Sequence, residues 1–395
     1  MCSAYILKKD LLIGVLDRCL DDLYLGKTNL GTYRRDCLRN IGHHNVQDVD
    51  LNTKITGPAL VVSDNVFISK RALKAFYGAA KKKTSTKTMV LVMPPSRQTE
   101  LFSPLQDIPE TKEGFIYDIF FIPAGVSGVL KDLTNIDTCE TVVIPYREIL
   151  LSQRIPHFIL GASSPRMEVP LTSTVVLKVR HWLHVLRLAH LWPQIRLIEN
   201  AQRNWWRTAW RLIWGFSLNP QKRRANYYDR FCDFEKGCHI HPTATVEASV
   251  VGKNVTIGAY ANIVGTVLGD NVVIEDRANI NYSVLGNDTF VSKNSTIVAS
   301  VAFGPTDVCV NGIQYSLVDE ACALTSWAKP LDASPHGPIR VLDNDNLREV
   351  GELPCGVAFA KNSYVGADVM IAPGRAIAGG QTLTRAKEDL ILSSK

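Results

Sequence analysis

Ala248-Ser249-Val250-Val251-Gly252-Lys253-Asn254-Val255-Thr256-Ile257-Gly258-Ala259-Tyr260-Ala261-Asn262-Ile263-Val264 is one unit of a repeat, and its reading decides the fold. Stepping along the chain by 17 residues from Phe234 brings like residues into register. Phe234, Val251, Leu268 and Leu285 share a column. Ile240, Ile257, Ile274 and Val291 follow six residues later, and Val246, Ile263, Ile280 and Ile297 six later again. Val250, Val267, Val284 and Val301 close each unit. Self-similarity at a fixed period is the mark of a stacked solenoid.

Each unit reads as three short strands of six, six and five residues, one aliphatic residue leading each. A single coil cannot shelter those residues from water. Stacking places each above its equivalent and makes one continuous core. Polar columns fit the same geometry: Thr245, Asn262, Asn279 and Thr296 align, as do Ser249, Thr266, Ser283 and Ser300, which predicts side-chain ladders. At the corners Gly237, Asn254, Asn271 and Asp288 align, the residue types that tolerate a left-handed backbone in a tight turn. The pattern stops after Val301 and resumes as Phe359, Val365, Ile371, Ile377 and Leu383 at six-residue spacing. The stretch 302–358 between them, with Lys329-Pro330 and Pro335-His336-Gly337-Pro338, reads as an inserted loop. It is either a functional loop or an arm for packing subunits together.

With these columns in place, the units resemble the left-handed parallel β-helix domains of hexapeptide-repeat transferases. They are similar in particular to the C-terminal helices of sugar-phosphate nucleotidyltransferases. The phrases Ala248-Ser249-Val250-Val251-Gly252, Gly265-Thr266-Val267-Leu268-Gly269 and Tyr282-Ser283-Val284-Leu285-Gly286 carry the resemblance. It implies self-association as a homotrimer or higher oligomer.

Residues 1–170 alternate in type. The spacing of Ile6, Leu7, Leu11, Leu12, Val15, Leu16, Cys19, Leu20 and Leu23 predicts an amphipathic helix. Ala59 to Asp64 and Thr88 to Met93 read as buried strands with a helix over 68–83 between them, and Gly114–Ile122 and Thr141–Ile144 as further strands. This order predicts an α/β layer with parallel pairing. Ahead of a β-helix, such a layer resembles a nucleotide-diphosphosugar transferase domain, and Leu60-Val61-Val62-Ser63-Asp64-Asn65-Val66-Phe67-Ile68 carries that resemblance. The family ends such a strand in an Asp that binds the catalytic metal, which makes Asp64 the candidate ligand of Mg²⁺. A carboxylate at a strand's carboxyl end can also simply cap a turn. One departure stands out: residues 1–50 lack the family's glycine-rich phosphate loop, and Leu25-Gly26-Lys27-Thr28-Asn29-Leu30-Gly31 does not have P-loop spacing. Without a phosphate cradle the transferring group has nothing to neutralise it, which makes a degenerate domain one of the readings.

The 395 residues are 46% hydrophobic and 21% charged, which suits a folded protein of two or three domains. No apolar run is long enough to span a bilayer, and the first ten residues lack signal-peptide order. Nine cysteines without a CxxC pair predict reduced thiols and a cytoplasmic protein. The net charge of +6 is concentrated: Lys178 to Arg224 holds ten Lys/Arg against Glu199 alone. Within that segment lie Trp182, Trp192, Trp205, Trp206, Trp210 and Trp214, with Arg203, Arg207 and Arg211 at i, i+4 spacing and Pro193 expected to split two helices. Residues 171–230 thus form a basic connector before the β-helix domain at 231–395. Either it packs its tryptophans between domains, or 176–216 rests on an anionic membrane surface at the inner face. No motif accompanies the charge that would point to nucleic acid.

Candidate chemistry on the β-helix rests on histidines that could take a proton from an acceptor hydroxyl or amine. His241 flanks Ile240 in the first coil with His239, and His336 lies in the inserted loop. Three functions follow. The first is a transferase acting on a nucleotide sugar or sugar phosphate, in envelope or glycolipid synthesis, through Asp64 and Mg²⁺. The second is an acyltransferase using acetyl-CoA or an acyl carrier with His336 or His241. The third is a non-enzymatic trimeric scaffold with a degenerate nucleotidyltransferase domain.

Overall fold

The computed structural model describes residues 2–154, 166–203, 206, 232–334 and 337–386. They fall into two compact units, one of residues 1–23, 28–157 and 163–184, the other of 24–27, 158–162 and 185–395.

The first unit is a mixed α/β layer. Its sheet runs in the order Val46–Val49, Ser3–Leu7, Ala59–Ser63, Gly114–Ile122, Met89–Met93, Glu140–Val143. All pairings are parallel except those of Gly114–Ile122, which is antiparallel to both neighbours. The expectation of parallel pairing throughout is corrected at that strand. One face of the sheet buries Leu7, Ala59, Val61, Val90, Val92, Ile116, Phe120 and Ile122, with Ile55 and Leu130 packed against them. Two helices accompany the sheet: α1 (Leu30–Asn40), capped by Asn29 accepting from Thr32 N at 2.8 Å, and α2 (Lys70–Lys82), capped by Ser69. α2 buries Ala72, Leu73, Phe76 and Ala80, an i, i+4 stripe as its sequence predicts.

The amphipathic helix expected over residues 6–23 does not form. Ser3–Leu7 is a central strand held on both edges by parallel partners, followed by single helical turns at Gly14–Leu16 and Leu20–Asp22. Two parallel ladders satisfy that backbone, and left-handed Asp10 and Asp17 (φ 47° and 48°) interrupt any helical run. A buried strand therefore does precede the Lys8-Lys9-Asp10 turn.

The second unit is built on three stacked parallel sheets that fit a left-handed β-helix. The first two hold eight strands each, from Asp233–Phe234 to Ala376–Ile377 and from His239–Ile240 to Thr382–Leu383; the third holds five, from Thr245–Glu247 to Ile313–Gln314. Val250, Val267, Val284 and Val301 pair in succession, as the 17-residue columns require. Val251, Ile257, Ile263, Leu268, Ile274, Ile280, Leu285, Val291 and Ile297 form the buried core. Both ladders are present. Asn262 Nδ2 donates to Asn279 Oδ1 at 2.9 Å. The buried hydroxyls of Ser249, Ser283, Ser300 and Ser316 each accept a backbone N–H from the next coil at 3.1 Å. Asn254, Asn271 and Asp288 adopt φ of 55°, 58° and 58°. Gly237 opens that column because a Cβ there would lie 2.2 Å from Asn254 Oδ1.

The stretch 302–358 is not one loop. Strands Thr306–Val308, Ile313–Gln314, Leu317–Val318, Ala323–Leu324 and Lys329–Pro330 continue the prism. The fifth coil is one residue short: Ile297 pairs with Ile313, Val301 with Leu317 and Asp307 with Ala323, a step of sixteen that hides the repeat. The departure proper spans 331–357 and carries a hairpin of Arg340–Asp343 with Asn346–Glu349.

The helix Trp182–Arg203 runs unbroken through Pro193, correcting the expected split; the proline has no amide hydrogen to give to the helical ladder. Trp182 and Trp192 are buried and Trp206 is exposed. Trp205, Trp210, Trp214, Arg207 and Arg211 lie outside the described residues. Arg187, 2% exposed, donates to Pro354 O at 3.1 Å and Leu353 O at 3.2 Å, and His190 stacks on Tyr315. Among the described residues no helix is long and apolar enough to cross a membrane.

Candidate functional site

Open α/β sheets bind ligands beyond the carboxyl ends of their strands, where the strand order reverses. Here that place lies between Ser3–Leu7 and Ala59–Ser63, since the chain leaves the first strand toward Val46–Val49 and returns on its other side. Lys8, Lys9 and Asp10 follow one strand and Asp64 the other.

Asp64 is 4% exposed and faces the turn. Lys9 N donates to both its oxygens at 3.0 Å, and Asp10 N to Oδ2 at 3.1 Å. Two successive amides converging on one anion form a nest, and the carboxylate sits where a phosphate would. Lys8 Nζ lies 3.2 Å from Asp21 and 3.8 Å from Asp64. Burial works against the Lys8 charge, yet Asp21 and Asp64 hold its ammonium above the usual lysine range. Arg34, buried in α1, pairs through Nη1 with Asp21 and donates through Nη2 to Asp64 O at 2.5 Å and Val66 O at 3.2 Å. Lys9 Nζ bonds Asp118 at 2.7 Å. Three cations thus meet three carboxylates. Beside them, Ser63 Oγ and both polar atoms of the Asn65 side chain are buried without a hydrogen-bond partner among the described residues, so this strand end retains unspent hydrogen-bonding capacity.

The donor set does not fit Mg²⁺, a hard cation that takes several oxygens in octahedral geometry. Both Asp64 oxygens already accept amides, and the nearest charged neighbour is a lysine. No cluster of three or more His, Cys, Asp or Glu among the described residues could hold a metal. Of the Asp64 constellation, sequence reasoning found only the aspartate. Lys8, Lys9, Asp21, Arg34 and Asp118 escaped it, although Lys8-Lys9 directly after Ala4–Leu7 marks the end of a buried strand.

His241 is exposed in the first coil, as its outward position predicts. Its Nδ1 meets Thr243 Oγ1 at 2.8 Å and accepts Thr243 N at 3.3 Å, while Thr243 Oγ1 itself accepts Tyr260 N at 2.9 Å. With Nδ1 accepting, the neutral ring carries its proton on the outward Nε2, the wrong tautomer for a base there. His336 lies outside the described residues. Asp64 belongs to the first unit and His241 to the second.

No family model matches the chain, and no curated protein matches it. Among solved structures, the chain is similar to the polysialic acid O-acetyltransferase OatWY, at 15% identity over 40% of this chain and 93% of that chain, with a TM-score of 0.14.

Proposed function

We propose that the chain is a non-catalytic assembly platform: a nucleotidyltransferase-like unit that has exchanged its phosphate cradle for an internal carboxylate, joined to a left-handed β-helix that associates as a trimer or higher oligomer. The observation that supports this reading is the Asp64 carboxylate held by the Lys9 and Asp10 amides. The order of the α/β sheet, with its reversal at this strand end, supports the family likeness. Incubation of the full chain with sugar phosphates, nucleoside triphosphates and Mg²⁺ tests it. No pyrophosphate is released, and calorimetry detects no nucleotide-sugar binding at the Ser63–Asn65 strand end. Pyrophosphate release or stoichiometric nucleotide-sugar binding overturns the proposal. Light scattering reads the oligomeric state.

A second reading, acyl transfer from acetyl-CoA or an acyl carrier, is favoured by one observation. The third sheet of the β-helix ends at Gln314, its face resumes only as the pair Lys329–Pro330 with Met370–Ile371, and between these strands the chain departs from the prism at 331–334 and 337–357, the stretch in whose sequence His336 falls. Thiol release from acetyl-CoA that His336→Ala abolishes supports this reading. Its absence with a range of hydroxyl and amine acceptors removes it.

A further inference from the structure

A cavity in the α/β unit, of about 240 Å³, is lined by Arg71, Ala75, Pro145, Arg147 and Thr174. Among the described residues neither arginine has a carboxylate partner. Arg71 makes one long bond, to Ser173 Oγ at 3.4 Å, and the Arg147 guanidinium makes none among the described residues. The adjacent acid is already spent: Glu148 accepts Arg97 N at 2.9 Å, Gln98 N at 3.2 Å and the Tyr146 hydroxyl at 2.6 Å, capping the short helix Arg97–Phe102. The Thr174 hydroxyl, on a residue 3% exposed, has no hydrogen-bond partner among the described residues.

The walls are held in place. Thr172 Oγ1 donates to Arg147 O at 3.1 Å and accepts Thr174 N at 3.1 Å. Ser69 Oγ donates to Ser173 O at 2.7 Å and accepts Val175 N at 3.0 Å. Two unpaired guanidiniums and a hydroxyl on a pinned frame present donors and positive charge with nothing to answer them. Planar guanidiniums match oxyanions bidentately, a geometry lysine lacks. The volume lies below the roughly 300–1,000 Å³ of pockets for drug-sized ligands, so it suits a headgroup rather than a whole cofactor.

We infer that Arg71, Arg147 and Thr174 form a binding site for a phosphate group, separate from the Asp64 crevice. The phosphate comes either from a small soluble ester or from a phospholipid headgroup. The test is thermal unfolding of the full chain against inorganic phosphate at constant ionic strength, beside flotation with phosphatidylcholine vesicles with and without phosphatidic acid. Saturable stabilisation by phosphate identifies a soluble ligand; flotation with phosphatidic acid alone identifies a lipid. Affinity falls about tenfold for each arginine removed in Arg71→Gln and Arg147→Gln, and Lys82→Gln, outside the cavity, leaves it unchanged. Both arginines are exposed, so the variants fold. No saturable response in either arm, or a response that survives in the double variant, overturns the site.

Discussion

Replacing Asp64 by Asn keeps the size of the side chain and removes its charge. The carboxylate accepts Lys9 N and Asp10 N at 3.0 and 3.1 Å and faces Lys8 Nζ at 3.8 Å, all at a position 4% exposed. Asparagine has one acceptor oxygen, so Lys9 N, which now reaches both carboxylate oxygens, meets an NH₂ on one side, both amides lose a charged acceptor, and the Lys8 ammonium keeps Asp21 and the more distant Asp10. Hydrogen bonds to a charged group are worth about 1.5–3 kcal/mol each, and stripping one partner from a buried ion pair costs about 3–5 kcal/mol. Asp64→Asn is therefore expected to destabilise the α/β unit by about 3 kcal/mol, lowering its melting midpoint by about 6–12 °C. Circular dichroism melts of wild type and variant, each with and without Mg²⁺, measure this. A cap predicts a large loss independent of Mg²⁺. A metal ligand predicts the reverse: little loss or a gain without metal, and a Mg²⁺-dependent stabilisation of the wild type that the variant lacks. That second pattern would refute the reasoning.

Arg187→Met leaves the carbonyls of Leu353 and Pro354 without their donor, at a cost of about 2–4 kcal/mol, and amide exchange in 337–357 should accelerate while that of the coil cores does not. His190 is half-buried beside Arg187; burial first, and the arginine's charge second, lower it from 6.5 to about 4. The unfolded chain therefore takes up the proton first, so stability present above pH 6.5 is lost as pH falls toward 4, by about 3 kcal/mol, and urea titrations of His190→Gln should lack that component. Ser283→Ala removes the acceptor of Ser300 N within the buried hydroxyl ladder and should cost about 1–3 kcal/mol by denaturant unfolding, whereas the exposed Thr256→Ala should be nearly silent.

The β-helix was legible because each of its contacts recurs at a fixed distance along the chain. Ile257 meets Ile274 and Ser249 meets Thr266 by the same step, so columns of letters are columns of atoms. Legibility failed where one residue was missing: the sixteen-residue step from Val301 to Leu317 shifts every later column, and a well-formed coil reads as a loop. At the N-terminus the leucines at 7, 11, 16, 20 and 23 imitate a helical stripe, but Leu7 is buried from a strand and Leu16, Leu20 and Leu23 from separate turns. Periodicity cannot tell a helix from a series of short elements that each bury a residue on the same side. Asp64 was visible because a carboxylate ending an apolar run is a local signal. Its partners are 30 to 55 residues away, and nothing local marks them.

What separates the two anion-seeking places in the α/β unit is whether the chain has already answered its own charge. At the end of the central strands Lys8, Lys9 and Arg34 face Asp21, Asp64 and Asp118, and the amides of the turn face Asp64. A phosphate arriving there must first displace a buried carboxylate from two amides, losing charge-assisted bonds of about 1.5–3 kcal/mol each before it makes any of its own. At Arg71 and Arg147 no such displacement is needed, because Glu148 is bound elsewhere and no other carboxylate among the described residues reaches either guanidinium. An incoming phosphate there loses only water. The balance of charge puts the unit's remaining capacity for phosphate at Arg71 and Arg147 and not at the strand ends. Asp64→Asn, by emptying the nest of its internal anion, should therefore leave the phosphate response at Arg71 and Arg147 unchanged even as it lowers the melting midpoint.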